Sequence, residues 1–264
     1  MYIEYCAYSD LTCIINHHAI VEQPVPEPLV WHIFESLVNV GLLMEQGDID
    51  QAQPGWIGII HRDLKPSNVF VDVHPPPVPA RNNWAGYPTI KLGDYGHAFE
   101  IPSDDDDNPA YYVNEGTRGF QAPEQVANDY LRARDQPKLT DKTNVFGVGI
   151  TVMSMMSRNP VGVKDWAATH KDCEHKVALP QLTTDAVESY SLALMDLVYS
   201  CVEYNQADRP SFAALRRDIL RHTRGPGSLP QDEDLAIGMR ASTVQQIASL
   251  GLNDRYAVGA NLPP

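Results

Sequence analysis

Four stretches of the chain are rich in apolar residues, and in one of them these residues recur at helical spacing. In residues 28–45 they fall four, four, three and three positions apart, which predicts an amphipathic helix with one core-facing stripe. That stripe consists of Leu29, Ile33, Leu37, Val40 and Leu43. Residues 142–156, 189–204 and 210–222 are similarly rich in apolar positions and predict three further helices, the first of them a buried core helix.

Shorter runs of β-branched and aromatic residues predict strands. Residues 69–71 and 89–92 have this composition, and residues 2–6 read as another strand at the start of the chain. Asp10 is well placed to cap a helix that follows it. Together these elements predict an α+β fold that is mainly α-helical.

Proline, glycine and polar residues mark the connections. Residues 22–28 predict a loop, and the prolines of residues 73–88 predict a surface loop with polyproline character. The polar residues 46–58 match no element. Residues 223–234 predict a linker, and residues 241–250 a short helix in the C-terminal tail.

Composition narrows the class of protein. With 264 residues and 43% hydrophobic residues, the chain is long and apolar enough for a substantial core. Its net charge of −14 argues against nucleic acid or an anionic membrane as a partner. Its four cysteines lack C-x-x-C spacing, so we expect reduced thiols, no zinc site and a cytoplasmic or nuclear location. We see no signal peptide and no stretch long enough to span a bilayer.

The most informative stretch is the octapeptide HRDLKPSN at residues 61–68. It matches the H-R-D-L-x-x-x-N signature of protein kinase catalytic loops at every specified position. In the family's order, it is followed by DYG at 94–96, GT at 116–117, APE at 122–124 and DRPS at 208–211. Residues 1–222 therefore resemble a eukaryotic serine/threonine protein kinase. The resemblance implies the hinge and C-terminal lobe with a small β-hairpin region at the cleft, followed by a linker and tail at residues 223–264.

The resemblance implies a chemical task for each polar residue of the site. Asp63 would accept the proton of the substrate hydroxyl, and Lys65 would stabilise charge on the phosphoryl oxygens. Asn68 and Asp94 would bind Mg²⁺, which prefers oxygen ligands. Thr117 would contact Asp63 and Lys65. ATP and Mg²⁺ are the implied cofactors.

The same resemblance implies a nucleotide site near the start of the chain. The backbone from Glu4 to Cys6 would bond the adenine edge, Asp10 would lie near the ribose, and Phe70 would form part of the pocket floor. Two alternatives stay open, because Asp10 could be a helix cap and Phe70 could be ordinary core.

Between the DYG and APE motifs, the resemblance implies an activation segment. Its four aspartates, residues 104–107, predict a solvated loop or, alternatively, a mimic of a phosphorylated loop that pairs with Arg62. Tyr111, Tyr112 and Thr117 are candidate phosphate acceptors, although for Thr117 we favour the contact with Asp63 and Lys65. The Lys65-Pro66 pair indicates serine or threonine, not tyrosine, as the substrate residue.

Three expectations concern the helical part. Kinases usually have Asp at the position of Asn144. The side-chain carbonyl of Asn144 can still accept an N–H bond from the catalytic loop, but we expect this bond to be weaker than one to a charged carboxylate. Glu124 and Arg209 should form a structural ion pair. Gly147 and Gly149 should permit close helix packing.

An active kinase also needs a G-x-G-x-x-G loop and a V-A-x-K lysine, and neither precedes the hinge in this sequence. We therefore expect the isolated chain to be inactive. The leading hypothesis is a serine/threonine kinase, or a fragment of one, that acts on protein substrates. One alternative is a catalytically inactive, pseudokinase-like binding module. Another is a small-molecule phosphotransferase, but the Lys65-Pro66 pair and the GT and APE motifs argue against it, because in the family they form the platform for a peptide substrate.

Overall fold

The computed structural model describes residue 6 and residues 8–72, 87–102, 105–126, 136–160 and 181–224. The helices of these ranges are α1 (Leu11–Ile20), α2 (Glu27–Gln46), α3 (Asp141–Met156), α4 (Thr184–Ser189), α5 (Leu192–Cys201) and α6 (Phe212–Arg224). The strands are β1 (Gly58–Ile60), β2 (Val69–Asp72), β3 (Thr89–Leu92) and β4 (Phe99–Ile101). The predicted α+β fold, mainly helical, is confirmed.

The long helix α2 lies at the centre of the packing. Pro28 stands in its first turn, where a missing N–H removes no helical hydrogen bond, and Gly47 ends it with a left-handed φ of 82°. Its buried face packs most extensively against α3 and α6, with Trp31 fully enclosed. The helix predicted at residues 28–45 is therefore confirmed to within one residue at each end. Its predicted core-facing stripe is only partly correct, because Leu43 is 41% exposed and Val40 is half-buried.

Helix α3 is buried on nearly all sides and approaches its neighbours closely. Thr140 caps it by accepting the Lys142 N–H at 3.2 Å. A Cβ at Gly147 would lie 2.7 Å from the Leu64 Cβ, and one at Gly149 would lie 2.5 Å from the Cys201 Cβ. Both glycines thus permit close packing, as predicted, and the first of them brings the catalytic loop against the core.

Two antiparallel strand pairs hold the loop from the other side. Strand β1 pairs with β4, and β2 pairs with β3 in a register that joins Val69 to Leu92. The strands predicted at residues 69–71 and 89–92 are confirmed. Because β1 leads into the HRDLKPSN octapeptide and β2 leaves it, both ends of the catalytic loop are fixed by sheet hydrogen bonds.

The helix predicted at residues 189–204 is wrong in its extent. The chain instead forms α4 and α5, separated at Tyr190 and Ser191. Tyr190 adopts an extended backbone, and its hydroxyl donates to the Val25 carbonyl at 2.8 Å. Ser191 then caps α5 by accepting the Leu194 N–H at 3.3 Å.

The last helix and the polar residues 46–58 also differ from expectation. Helix α6 extends to Arg224, two residues into the predicted linker, where Arg224 pairs with Glu35 of α2. Residues 46–58, which matched no element, fold back on the end of α2. The Trp56 indole donates to the Met44 carbonyl at 3.1 Å, and Asp50 pairs with Arg216 of α6 at 3.1 Å.

Several predictions fall outside the described residues. These are the strand at residues 2–6 apart from Cys6, most of the proline-rich loop at residues 73–88, and the tail from residue 225 on. The linker and tail boundary therefore stays a prediction. In the ranges that the structure describes, no helix is both long and apolar enough to cross a bilayer.

The predicted ion pair between Glu124 and Arg209 is present and buried. Arg209 donates from both terminal nitrogens to the two carboxylate oxygens, at 2.7 and 2.8 Å. Thr143 adds a hydroxyl bond to the same carboxylate at 2.8 Å. Arg209 also donates to the carbonyls of Lys142, Glu203 and Tyr204, so its guanidinium joins the APE motif to α3 and to the segment before α6.

We expect Arg209→Ala to lower the free energy of unfolding by about 3–5 kcal/mol, because it leaves Glu124 charged and buried without its cation. Urea unfolding followed by circular dichroism measures this loss. The matched control is Arg118→Ala, whose side chain is exposed and whose loss should cost less than about 1 kcal/mol. Equal losses in the two variants would contradict a structural role for the buried pair.

Candidate active site

The catalytic loop is built on a buried histidine. His61 donates its backbone N–H to the Asn144 side-chain oxygen at 2.9 Å, and its ring Nδ1 accepts the Asp63 N–H at 3.3 Å. Its Nε2 lies 3.0 Å from the Gly93 carbonyl and therefore carries the proton. Burial lowers the pKa of His61. The Gly93 carbonyl and the carboxylates of Asp63 and Asp94 act in the opposite direction, but their effect is smaller, so the pKa stays below its usual value. The neutral ring thus links the loop to the residue before Asp94.

Asp63 holds a carboxylate that three donors position. One oxygen accepts the Thr117 N–H at 2.8 Å, and the other accepts Lys65 Nζ at 2.8 Å and the Asn68 amide at 3.1 Å. Burial alone would raise the pKa of Asp63, but the bonds from Lys65 and Thr117 outweigh it and keep the pKa below its usual value. A carboxylate has about four acceptor positions, so about one is left for a substrate hydroxyl.

Lys65 and Thr117 make the contacts that were expected of them. Lys65 Nζ donates to the Thr117 hydroxyl at 2.7 Å, in addition to its bond with Asp63. The residue before Thr117 must be glycine, because Gly116 has a φ of 94° and a Cβ there would lie 2.2 Å from the Arg62 carbonyl oxygen. The GT pair is thereby pressed against the catalytic loop.

Asn68 and Asp94 lie at the same end of the β2–β3 hairpin. The Gly93 N–H donates to the Asn68 carbonyl at 2.9 Å, which places Asp94 directly beside it. The Asn68 amide nitrogen bonds the Asp63 carbonyl at 2.8 Å as well as its carboxylate, so its amide oxygen is the atom suited to a metal. Asp94 is exposed, and its backbone adopts the left-handed conformation with a φ of 59°. Amide and carboxylate oxygens fit the ligand preference of Mg²⁺.

The residues proposed for the nucleotide are only partly described. Glu4 lies outside the described residues, and Cys6 is half-buried. Asp10 caps α1 by accepting the Thr12 N–H at 2.7 Å, so the cap alternative is confirmed. Phe70 is half-buried, pairs with Asp10 across a β-bridge and lies against Gly93.

Phe70 is also absent from the buried hydrophobic cluster of the described residues, which favours a cleft-lining position over ordinary core. The roles of all four residues toward adenine and ribose stay predictions.

Arg62 contacts the activation segment through backbone carbonyls and aromatic rings. Its Nε donates to the His97 carbonyl, and one terminal nitrogen donates to the Tyr112 carbonyl at 3.1 Å. The guanidinium lies 4.9 Å from the Phe99 ring centre and 5.6 Å from that of Tyr112, and these rings stack 3.8 Å apart. Cation–π attraction and two hydrogen bonds thus hold the segment at this point.

The alternative hypothesis that the acidic run pairs with Arg62 is wrong for its described members. Asp105 accepts the Asp107 N–H at 2.9 Å, which is a local turn, and no ion pair joins Arg62 to residues 105–107. Asp104 lies outside the described residues. Tyr111 is exposed, whereas Tyr112 is half-buried by its stacking on Phe99.

Two contacts of the site were missed by sequence reasoning. Gln125, buried directly after the APE motif, donates to the Arg62 carbonyl at 2.8 Å and to the Glu115 carbonyl at 3.2 Å. The His97 Nδ1 lies 2.9 Å from a carboxylate oxygen of Glu115, and this contact joins the first and last parts of the activation segment. The position of Gln125 directly after the APE motif was the only sequence feature that could have indicated its role. No sequence feature indicated the contact between His97 and Glu115.

Comparison with known proteins agrees with this geometry. A family model described as a protein kinase domain matches residues 1–222, most of the chain. The chain belongs to the protein kinase family. Its fold is accordingly that of a kinase C-terminal lobe, with two antiparallel strand pairs, of which β1 and β2 lie on either side of the catalytic loop in sequence.

The kinases to which it is similar are distant relatives. The G2-specific protein kinase nim-1 of Neurospora crassa is 28% identical over 234 residues, which cover 81% of this chain and 24% of that protein. The G2-specific protein kinase nimA of Emericella nidulans is 27% identical, with 81% and 29% covered. The serine/threonine-protein kinase TOUSLED of Arabidopsis thaliana is 23% identical, with 82% and 28% covered. The chain thus spans about a quarter of the length of these three relatives.

We expect Asn144→Asp to destabilise this kinase, although Asp is the residue that the family usually has. The Asn144 side chain accepts from His61 N–H and also donates to the Ile59 carbonyl at 2.7 Å. A carboxylate cannot donate, so two acceptors would face each other in a buried site, at a cost of about 1–3 kcal/mol. Urea unfolding at pH 7 measures the change. A variant as stable as the parent would contradict the bridging role of the amide.

We expect Arg62→Lys to loosen the activation segment without unfolding the core. Lysine keeps the charge but loses the planar guanidinium and at least one of its two carbonyl bonds. A loss of about 1.4 kcal/mol corresponds to roughly tenfold faster amide hydrogen exchange in residues 105–126. Arg118→Lys, an exposed position in the same segment, is the control. Unchanged exchange in the Arg62 variant would show that the other contacts of the segment suffice.

Proposed function

We propose that this chain supplies the catalytic lobe of a serine/threonine protein kinase, which transfers the ATP γ-phosphoryl group to serine or threonine hydroxyls of proteins. The observation that carries the proposal is the Asp63 carboxylate, held by Lys65, Asn68 and Thr117 with about one acceptor position free. Such a carboxylate can orient a hydroxyl toward a phosphoryl group. Little covalent chemistry beyond positioning is needed for this reaction.

In the proposed step, the substrate hydroxyl donates its hydrogen bond to Asp63. A bond forms between the hydroxyl oxygen and the γ-phosphorus, while the bond from that phosphorus to the oxygen of the departing ADP breaks. The proton passes to Asp63. A pKa below the usual value makes this carboxylate a weak base, which suits a loose transition state in which the proton leaves late.

Lys65 lies between Asp63 and Thr117, where its ammonium can neutralise phosphoryl oxygens on the side of the nucleophile. Asn68 and Asp94 would hold Mg²⁺, which offsets charge on the phosphates when bound. Cys6, Asp10 and Phe70, with Glu4, would bind the nucleoside of ATP.

The choice of serine and threonine rests on the Lys65-Pro66 pair and on the Lys65–Thr117 bond. Relatives such as TOUSLED are described as serine/threonine-protein kinases, which supports the same choice. We further propose protein substrates, a cytoplasmic or nuclear location and no nucleic acid or membrane partner, in line with the charge of −14.

The test uses the endogenous protein, tagged at its genomic locus and assayed with ATP, Mg²⁺ and a protein substrate. We expect phosphate on serine or threonine, and a loss of about 10²- to 10⁴-fold in rate for Asp63→Asn, since the amide cannot accept the proton. Asp196→Asn, an exposed position on α5, should leave the rate unchanged.

Retained turnover in Asp63→Asn would remove Asp63 as the proton acceptor. If the endogenous protein neither transfers phosphate nor binds ATP with Mg²⁺, the inactive binding module becomes the better hypothesis. The intact mass of the endogenous protein is measured in the same preparation, and a value above 29.3 kDa after the mass of the tag is subtracted would mean that further sequence accompanies this chain.

A further inference from the structure

A groove with an apolar floor and a basic rim runs between α2 and α6, and none of its lining residues belongs to the catalytic loop. Its volume is about 570 Å³. Leu42 of α2, Ile49 of the segment after it and Leu220 of α6 supply the apolar lining. Arginines of α6 stand along its edge. The Asp50–Arg216 pair joins the two walls at 3.1 Å.

The rim concentrates positive charge in a chain that is otherwise strongly acidic. The whole chain has 20 basic side chains of Lys and Arg against 34 acidic ones. Helix α6 reverses this balance, with four arginines and a single acidic residue, Asp218. Arg217 and Arg221 are 60% and 68% exposed and share Asp218 as their carboxylate partner. Two cations against one anion leave the edge of the groove positive and open to solvent.

The sequence after α6 has the complementary character. Arg224 ends the helix at the groove, and the next seven residues, 225–231, read GPGSLPQ. The six that follow, residues 232–237, read DEDLAI, three carboxylates and then two branched apolar residues around an alanine. Glycine and proline at residues 225–227 favour a change of chain direction.

The distances permit a return along the helix. Seven linker residues span up to about 23 Å when extended, and the thirteen residues of α6 measure roughly 20 Å along the axis. A segment tethered this closely has an effective concentration in the millimolar range, so modest contacts suffice to hold it.

We propose that the groove between α2 and α6 binds the acidic segment of this chain's own tail, residues 232–237. The carboxylates of Asp232 and Asp234 pair with Arg217 and Arg221, and the apolar end of the segment covers the floor at Leu42 and Leu220. The inference requires no phosphoryl transfer, so its failure and that of the proposed function are separate.

The experiment places a benzoylphenylalanine photocrosslinker at Leu235 of the full-length chain and maps the products by mass spectrometry. We expect intramolecular crosslinks to residues 42–50 or 213–224. Arg217→Glu combined with Arg221→Glu should lower their yield at least about fivefold, because like charges then face the tail. Adding Asp232→Arg and Asp234→Arg to that variant should restore the yield.

Arg118→Glu combined with Lys138→Glu is the matched control, since it reverses two exposed charges elsewhere and should leave the yield unchanged. Thermal unfolding checks that each variant is folded. If Arg217→Glu with Arg221→Glu unfolds, Arg217→Gln with Arg221→Gln takes its place. Three results would each overturn the proposal: crosslinks to other surfaces, crosslinks between two molecules, or a crosslink yield that does not change when Arg217 and Arg221 are substituted.

Discussion

The architecture depends on satisfying the backbone of a buried loop. The HRDLKPSN octapeptide passes through the interior between β1 and β2, where unpaired N–H and carbonyl groups would be costly. Asn144, placed on the most buried helix, meets this need with one side chain that bonds the His61 N–H and the Ile59 carbonyl. The orientation of its amide follows from these partners, since one offers a proton and the other a lone pair. The residues that orient Asp63 can then lie at fixed distances from it.

The activation segment is attached to this loop by a second set of contacts, which are mostly to its backbone. Arg62 bonds two carbonyls, and Gln125 bonds the Arg62 and Glu115 carbonyls. Backbone acceptors are present whatever the side chains are, so this attachment needs no phosphate. The rings of Phe99 and Tyr112 lie within cation–π distance of the same guanidinium and add to this attachment.

The sequence predicted those features that depend on neighbours along the chain or on a shared motif. The helical extent of α2 and the Glu124–Arg209 pair are of this kind. The predicted stripe is correct only at Leu29, Ile33 and Leu37. The C-terminal half of the helix buries Val38, Leu42 and Met44 instead. Helix α5 was misjudged because its apolar spacing continues across Ser191, while the break is caused by the Tyr190 hydroxyl reaching Val25. The partners of Arg62 lie 35 and 50 residues further along the chain, beyond any local pattern. Strands β1 and β4 have three residues each, too few to show an alternation.

Among the described residues, the contacts that position Asp63 come from the catalytic loop and from Thr117. Lys65 and Asn68 belong to the same loop, and Thr117 is held against it by the close approach of Gly116 to Arg62. The nucleotide and the second half of the cleft are therefore not required to form the carboxylate geometry, only to bring a phosphoryl group to it. The same independence holds for the groove at α6, whose walls are joined by the Asp50–Arg216 pair and by contacts of α2 with α6. The groove and the catalytic loop thus share no lining residue, so the ligands proposed for them would bind separately.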